Sequence, residues 1–174
     1  MGTVSEYSKF SMLSQAAYAS FGAGIKPINA LTTVKKGDFT LTQAQSFIDS
    51  KWTIVDQSSD AKFSDSDFSA TLFFNTKTQE YVFANRGTES LTDLLLADGW
   101  GITVQGAAGS QILDMYRYYK SLTTSTGLTV TYSSTEIDRL YEIVKYYNPL
   151  KFPDKSSLRL FLSADAGLGK LSTN

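Results

Sequence analysis

Histidine and cysteine are both absent from the 174 residues. Without cysteine the chain has no disulfide, no thiolate zinc site and no cysteine nucleophile, and it suits either a reducing compartment or export without oxidative folding. Without histidine it lacks the base that most often activates a serine or threonine hydroxyl. An excess of charge is also missing. Sixteen basic residues against 17 acidic leave a net charge of −1 with no run of like charges, so no phosphate-tracking face is encoded and nucleic acid is not an expected partner. No apolar run approaches the ~20 residues of a bilayer span, and no basic start leads into an apolar stretch. Neither a transmembrane segment nor an export signal is expected within this chain.

The aromatic and hydrophobic content, 13% and 42%, suits one globular domain over residues 1–174, able to bury roughly 70% of the surface its unfolded form exposes. Tyr7, Phe10, Leu13, Ala17 and Phe21 recur at helical spacing, which predicts an amphipathic helix over 4–21 stopped by Gly22. Residues 21–39, with Gly22, Gly24, Pro27 and Gly37, read as a loop. Thr42-Gln43-Ala44-Gln45 has capping-box form and predicts a helix over 42–51, followed by a strand over 52–57. Strands at 68–74 and 80–85 flank Asn75-Thr76-Lys77-Thr78-Gln79 as an antiparallel hairpin.

Further along, short and long helices are predicted over 91–97 and 110–122, the second with a stripe of Ile112, Met115, Tyr116, Tyr119 and Leu122. Residues 127–132 read as a brief strand. Ser133-Ser134-Thr135-Glu136 is a capping box opening a helix that carries Ile137, Leu140, Tyr141, Val144 and Tyr147 and stops before Pro149 and Pro153. Residues 156–164 lean to helix. The expected fold class is α/β: a hairpin and additional strands flanked by four or five helices.

Chemistry is concentrated after the third strand. Gly87 would let the backbone turn sharply out of the sheet, and the amide and hydroxyl of Thr88 would then stand at a strand end where an acyl oxyanion could be held. The other reading of these letters is an ordinary turn glycine and a strand-end threonine. Ser90-Leu91-Thr92-Asp93 opens a short helix in which Leu91, Leu94 and Leu95 share a face, Leu96 adds apolar surface and Asp98-Gly99 closes it.

This arrangement, Arg86-Gly87-Thr88 running into a leucine-rich helix with Asp98 about ten residues on, resembles the class 3 lipase family and most closely its secreted bacterial lipase and polyesterase branch. The resemblance extends to the helices around 8–19 and 111–122. It implies the N-terminal portion of an α/β-hydrolase, ester hydrolysis on lipid or other insoluble esters, and secretion. It gives Thr88 the role of oxyanion-hole residue, residues 91–97 the role of a lid, and Arg86, Gly87 and Asp98 the role of bracing the turn. A buried stripe of a core helix explains Leu91, Leu94 and Leu95 equally well.

The departures are large. The family's Gly-x-Ser-x-Gly nucleophile does not occur, and Gly106-Ala107-Ala108-Gly109-Ser110 has the wrong spacing. In this topology the triad acid follows the serine, so Asp56, Asp60, Asp65, Asp67, Asp93 and Asp98 read as caps, braces and solubilising residues. The cluster from Asp60 to Asp67 lacks the spacing of an EF-hand loop. No cofactor or metal is expected in this chain, with calcium left open for a longer parent. Ala166-Gly167-Leu168-Gly169-Lys170 lacks the first glycine and the hydroxyl residue of a phosphate loop. The expectation is therefore one lobe of a lipase, inactive alone, with self-association through an exposed sheet edge. A stand-alone lipid-surface or protein-binding module is the alternative.

Overall fold

The computed structural model describes residues 3–22, 24–58, 68–86 and 107–164. It is a mixed α/β structure whose contacts divide the described chain into two compact units, residues 3–58 with 68–86, and residues 107–164.

The first unit begins with α1, Val4–Ala16. Thr3 caps it: the Thr3 hydroxyl accepts from the Glu6 amide, and the Glu6 carboxylate accepts from the Thr3 amide at 2.6 Å. The helix stops five residues short of the predicted end, and its predicted stripe is covered only toward the C-terminus. Leu13, Ala16 and Ala17 are buried, whereas Val4, Tyr7 and Phe10 are exposed. The expected loop over 21–39 contains a one-and-a-half-turn helix, α2 (Pro27–Thr32), which has Pro27 in its first turn. There the missing proline N–H leaves no intrahelical bond unmade.

Helix α3 spans Leu41–Asp49 and is capped by Thr40, with Gln43 closing the capping box, two residues earlier than the sequence predicts. Ala44 and Phe47 are its buried residues. Strands β1 (Trp52–Gln57), β2 (Ala70–Asn75) and β3 (Glu80–Asn85) follow. They form an antiparallel sheet of order β1-β2-β3. The β2–β3 register is unbroken from Ala70↔Asn85 to Asn75↔Glu80, while β1 slips against β2 between Ile54 and Asp56. The expected strand and hairpin are thus present.

One face of the sheet carries Trp52, Phe73 and Ala84 into a core shared with Leu13, Ala16, Leu31, Phe39, Ala44 and Phe47. Phe47 sits edge-on to Phe73 at 5.7 Å between ring centroids, and Phe21 sits edge-on to the same ring at 6.2 Å. Such pairs add about 0.5–1.5 kcal/mol beyond area burial.

The second unit is three helices: α4 (Ala107–Thr123), α5 (Ser134–Tyr147) and α6 (Lys155–Ser163). Ser133 caps α5 with Glu136 as expected, and α5 ends before Pro149. Asp154 caps α6 by accepting from the Ser157 amide at 2.7 Å, a cap the sequence reading does not contain. Residues 127–132 form no strand. Leu113, Ile137, Leu140, Val144, Phe152, Leu158 and Leu162 make the core.

The stripe predicted for α4 is rotated from the buried face. Ile112 and Tyr119 are exposed, and Leu113, Asp114, Arg117, Tyr118 and Ser121 are buried. Two of those are ions that neutralise each other, Arg117 Nη1 lying 2.6 Å from Asp114 Oδ1. The guanidinium also covers the Phe161 ring at 4.4 Å, where a planar cation packs as an apolar surface would. No described helix is long and apolar enough to cross a membrane.

Candidate functional site

A groove of about 980 Å³ in the first unit follows β1 along its whole length. Six residues at about 3.3 Å each make that strand roughly 20 Å long. One side of the groove is apolar, built from Phe21, Ile25, Ile48, Trp52 and Ile54. The far end is polar, with Asp56, Gln57, Ser58, Ser69 and Arg86. Arg86 stands directly after β3, and its amide donates to the Ser69 carbonyl at 2.9 Å. It is thus the one residue of the predicted site that lies among the described residues. Gly87, Thr88, Leu91, Leu94, Leu95, Leu96 and Asp98 lie outside them, as do Asp60, Asp65 and Asp67.

Gln57 organises the polar end. Its carboxamide oxygen accepts from the Phe21 amide at 2.9 Å, and its nitrogen donates to the Ala19 carbonyl at 2.7 Å and to the Thr71 hydroxyl at 2.9 Å. The side chain therefore stitches residues 19–21 to the edge of the sheet, acting as one rung of a β-ladder. Ser58 is 2% exposed, and its hydroxyl oxygen accepts from the Ala70 amide at 2.8 Å. It is a structural acceptor, and the chain holds no imidazole to take its proton. This end is a polar, hydrogen-bonded rim beside an apolar wall, and none of its described residues is an activated nucleophile.

Charge along the groove is unequal. Lys36, Lys51 and Arg86 line it against Asp56, and neither the Lys36 nor the Lys51 ammonium is ion-paired among the described residues. Lys51 has φ of 67°, the left-handed conformation that ends α3 and turns the chain into β1.

The second unit holds a separate polar cluster. Glu136 Oε1 accepts from the Tyr116 hydroxyl at 2.5 Å and from Lys120 Nζ at 2.9 Å, while Oε2 accepts from the Ser133 amide at 2.7 Å. The Tyr116 bond, then Lys120, then the Ser133 amide hold the Glu136 carboxyl down at about 2. Burial, then the Glu136 carboxylate, pushes the Tyr116 phenol up to about 12. Two of these bonds join α4 to the start of α5 and the third closes the α5 cap, so the cluster braces the helices.

Sequence reasoning named Arg86 as a brace of the turn and did not name Gln57, Ser58, Lys36 or Lys51 as lining a groove. Gln57 bonds partners 38 and 36 residues away at Ala19 and Phe21, for which no local pattern exists. No protein-family model matches the chain, and no curated protein or solved structure matches it.

Proposed function

We propose that this chain is the oxyanion-side lobe of a secreted serine ester hydrolase of the class 3 lipase type, acting on lipid or other insoluble esters. One observation carries the reading. The strand that precedes Gly87-Thr88 in sequence is followed at once by Arg86, which lines the polar mouth of an apolar groove, the setting in which an ester carbonyl is polarised while its apolar part is sheltered. In this reading Thr88 donates to the developing oxyanion, the helix carrying Leu91, Leu94, Leu95 and Leu96 covers the acyl site, and Arg86, Gly87 and Asp98 brace the turn. The fold is then the N-terminal portion of an α/β-hydrolase. The nucleophilic serine, its histidine and the orienting acid come from residues outside these 174, because the chain has no histidine and no Gly-x-Ser-x-Gly.

Thr88→Val in the longer product of the same reading frame tests this. Loss of one oxyanion donor costs about 3 kcal/mol in the barrier, so kcat on a p-nitrophenyl ester falls about a hundredfold with folding preserved. Unchanged kcat removes Thr88 from the mechanism.

A second reading, a non-catalytic lipid-surface or protein-binding module, is favoured by the Ser58 hydroxyl serving as an acceptor for the Ala70 amide and by an edge of β1 that no described strand covers. Sheet edges invite pairing, with a second copy or with another polypeptide.

A further inference from the structure

The order β1-β2-β3 leaves the far side of β1 without a strand among the described residues. The Lys51 carbonyl accepts from the Thr76 amide at 3.0 Å, and the Ser58 amide donates to the Ala70 carbonyl at 2.9 Å. Residues in an antiparallel pair alternate between facing the neighbour and facing away, so the N–H and C=O of Trp52 and Ile54 point away from β2. Both residues line the groove, and those main-chain groups have no partner among the described residues. They are the open rungs of a ladder.

The open stretch has two ends. Beyond Ile54 the register slips at Val55, and at Gln57 the edge is already taken by residues 19–21 through the Gln57 carboxamide. An occupant therefore pairs with Trp52 and Ile54 over a few residues and then follows the groove without a ladder. An acyl chain fills the apolar wall but offers nothing to four main-chain polar groups. An extended peptide satisfies both.

Charge selects among peptides. Among the described lining residues, the Lys36 and Lys51 ammonium groups carry no ion pair. A second copy pairing edge to edge brings this cationic lining against itself, and like charges at close range oppose that dimer. A strand carrying carboxylates meets the opposite sign. We propose that the β1 groove binds an extended, acidic segment of a partner polypeptide as an added strand, with small apolar side chains of the segment turned onto Ile25, Ile48 and Ile54. This is recognition by β-augmentation, in which main-chain bonds supply affinity and alternate side chains supply selectivity.

The test uses the 174-residue chain and a blocked pentapeptide of alternating aspartate and valine, followed by amide hydrogen exchange. In the free protein the Trp52 and Ile54 amides exchange fast while the Thr53 amide, which faces β2, is protected. Saturating peptide slows exchange at Trp52 and Ile54 by about tenfold or more and leaves Thr53 unchanged. The peptide with lysine in place of aspartate gives no protection.

Lys36→Glu with Lys51→Glu weakens binding of the acidic peptide at least about tenfold at low salt, both residues being exposed and outside the core. Ile54→Pro removes one outward donor, spares the ladder to β2 and abolishes binding. Should that variant unfold, the lysine pair and the exchange pattern still decide. Equal protection by the lysine peptide, or none by either, overturns the proposal. Protection of the same amides by concentration-dependent dimerisation without peptide assigns the edge to a second copy instead.

Discussion

Tyr116 donates its phenolic hydroxyl to Glu136 across the contact between α4 and α5, and Glu136 is also the residue that closes the capping box of α5 with Ser133. One carboxylate therefore starts a helix and ties it to its neighbour. With its folded value at about 2 against an ordinary 4.5, it contributes stability that is full above about 4.5 and is lost as pH falls through about 2. Tyr116, raised from 10 to about 12, contributes stability present below about 10 and lost as pH rises through about 12. Tyr116→Phe is expected to lower unfolding free energy by about 1 kcal/mol at neutral pH. Urea titrations of both proteins check this, and the gap between them narrows as the pH is lowered through the acid window. A gap that widens with acid contradicts the assignment.

A close approach of main chain to main chain fixes Gly37. A Cβ built there meets the Leu31 carbonyl oxygen at 2.3 Å and the Leu31 Cα at 2.8 Å, and both are backbone atoms that no rotamer change removes. Lys35 and Asp38 beside it adopt φ of 60° and 53°. Gly37→Ala is expected to destabilise by about 1–3 kcal/mol through forced backbone shifts. Thermal unfolding of this variant against Gly22→Ala measures it, since the Gly22 Cβ meets only the flexible Ile25 side chain.

Asn75 holds the hairpin turn. Its Oδ1 accepts from the Lys77 and Thr78 amides at 2.9 and 3.0 Å, and its Nδ2 donates to the Ser50 carbonyl at 2.8 Å. Gln79, at φ of 59°, completes the turn in the left-handed region. Asn75→Ala is expected to cost about 1 kcal/mol or more, because the buried Asn75 side chain holds the turn amides and the Ser50 carbonyl together. Gln79→Gly is expected to be neutral or mildly stabilising, since glycine adopts that conformation without steric cost. Equilibrium denaturation of the two variants checks the opposite signs.

Gln57→Leu keeps the volume and removes the stitch to residues 19–21. The Phe21 amide and Ala19 carbonyl lose their partner, which is expected to cost about 1–3 kcal/mol and to speed exchange at the Phe21 amide first. Exchange at Phe21 unchanged in the variant shows the bond to be dispensable.

Periodicity carried most of the fold. The alternation in β1 to β3 and the Ser133–Glu136 box before Ile137 and Leu140 are local signals, and the structure has those elements. Thr40-Leu41-Thr42-Gln43 offers two hydroxyl caps, and the structure uses the earlier one, with Gln43 in the closing position. Helix α2 is six residues set among glycines, announced by Pro27 alone. The face of α4 was misread because Asp114 and Arg117 count as polar in a pattern, yet are buried once paired. At the site, the motif after β3 drew attention to Arg86 as a turn brace, and its place in the groove lining is a separate fact. Gln57 and the outward main chain of Trp52 and Ile54 depend on which strands neighbour β1, information that no short window of sequence holds.

The most direct test of the proposed function is fluorophosphonate labelling of this chain alongside the longer product of its reading frame. The account predicts no labelling within residues 1–174 and labelling of one later serine in the longer product, slowed by Thr88→Val. A labelled serine within residues 1–174, or an unreactive longer product, contradicts it.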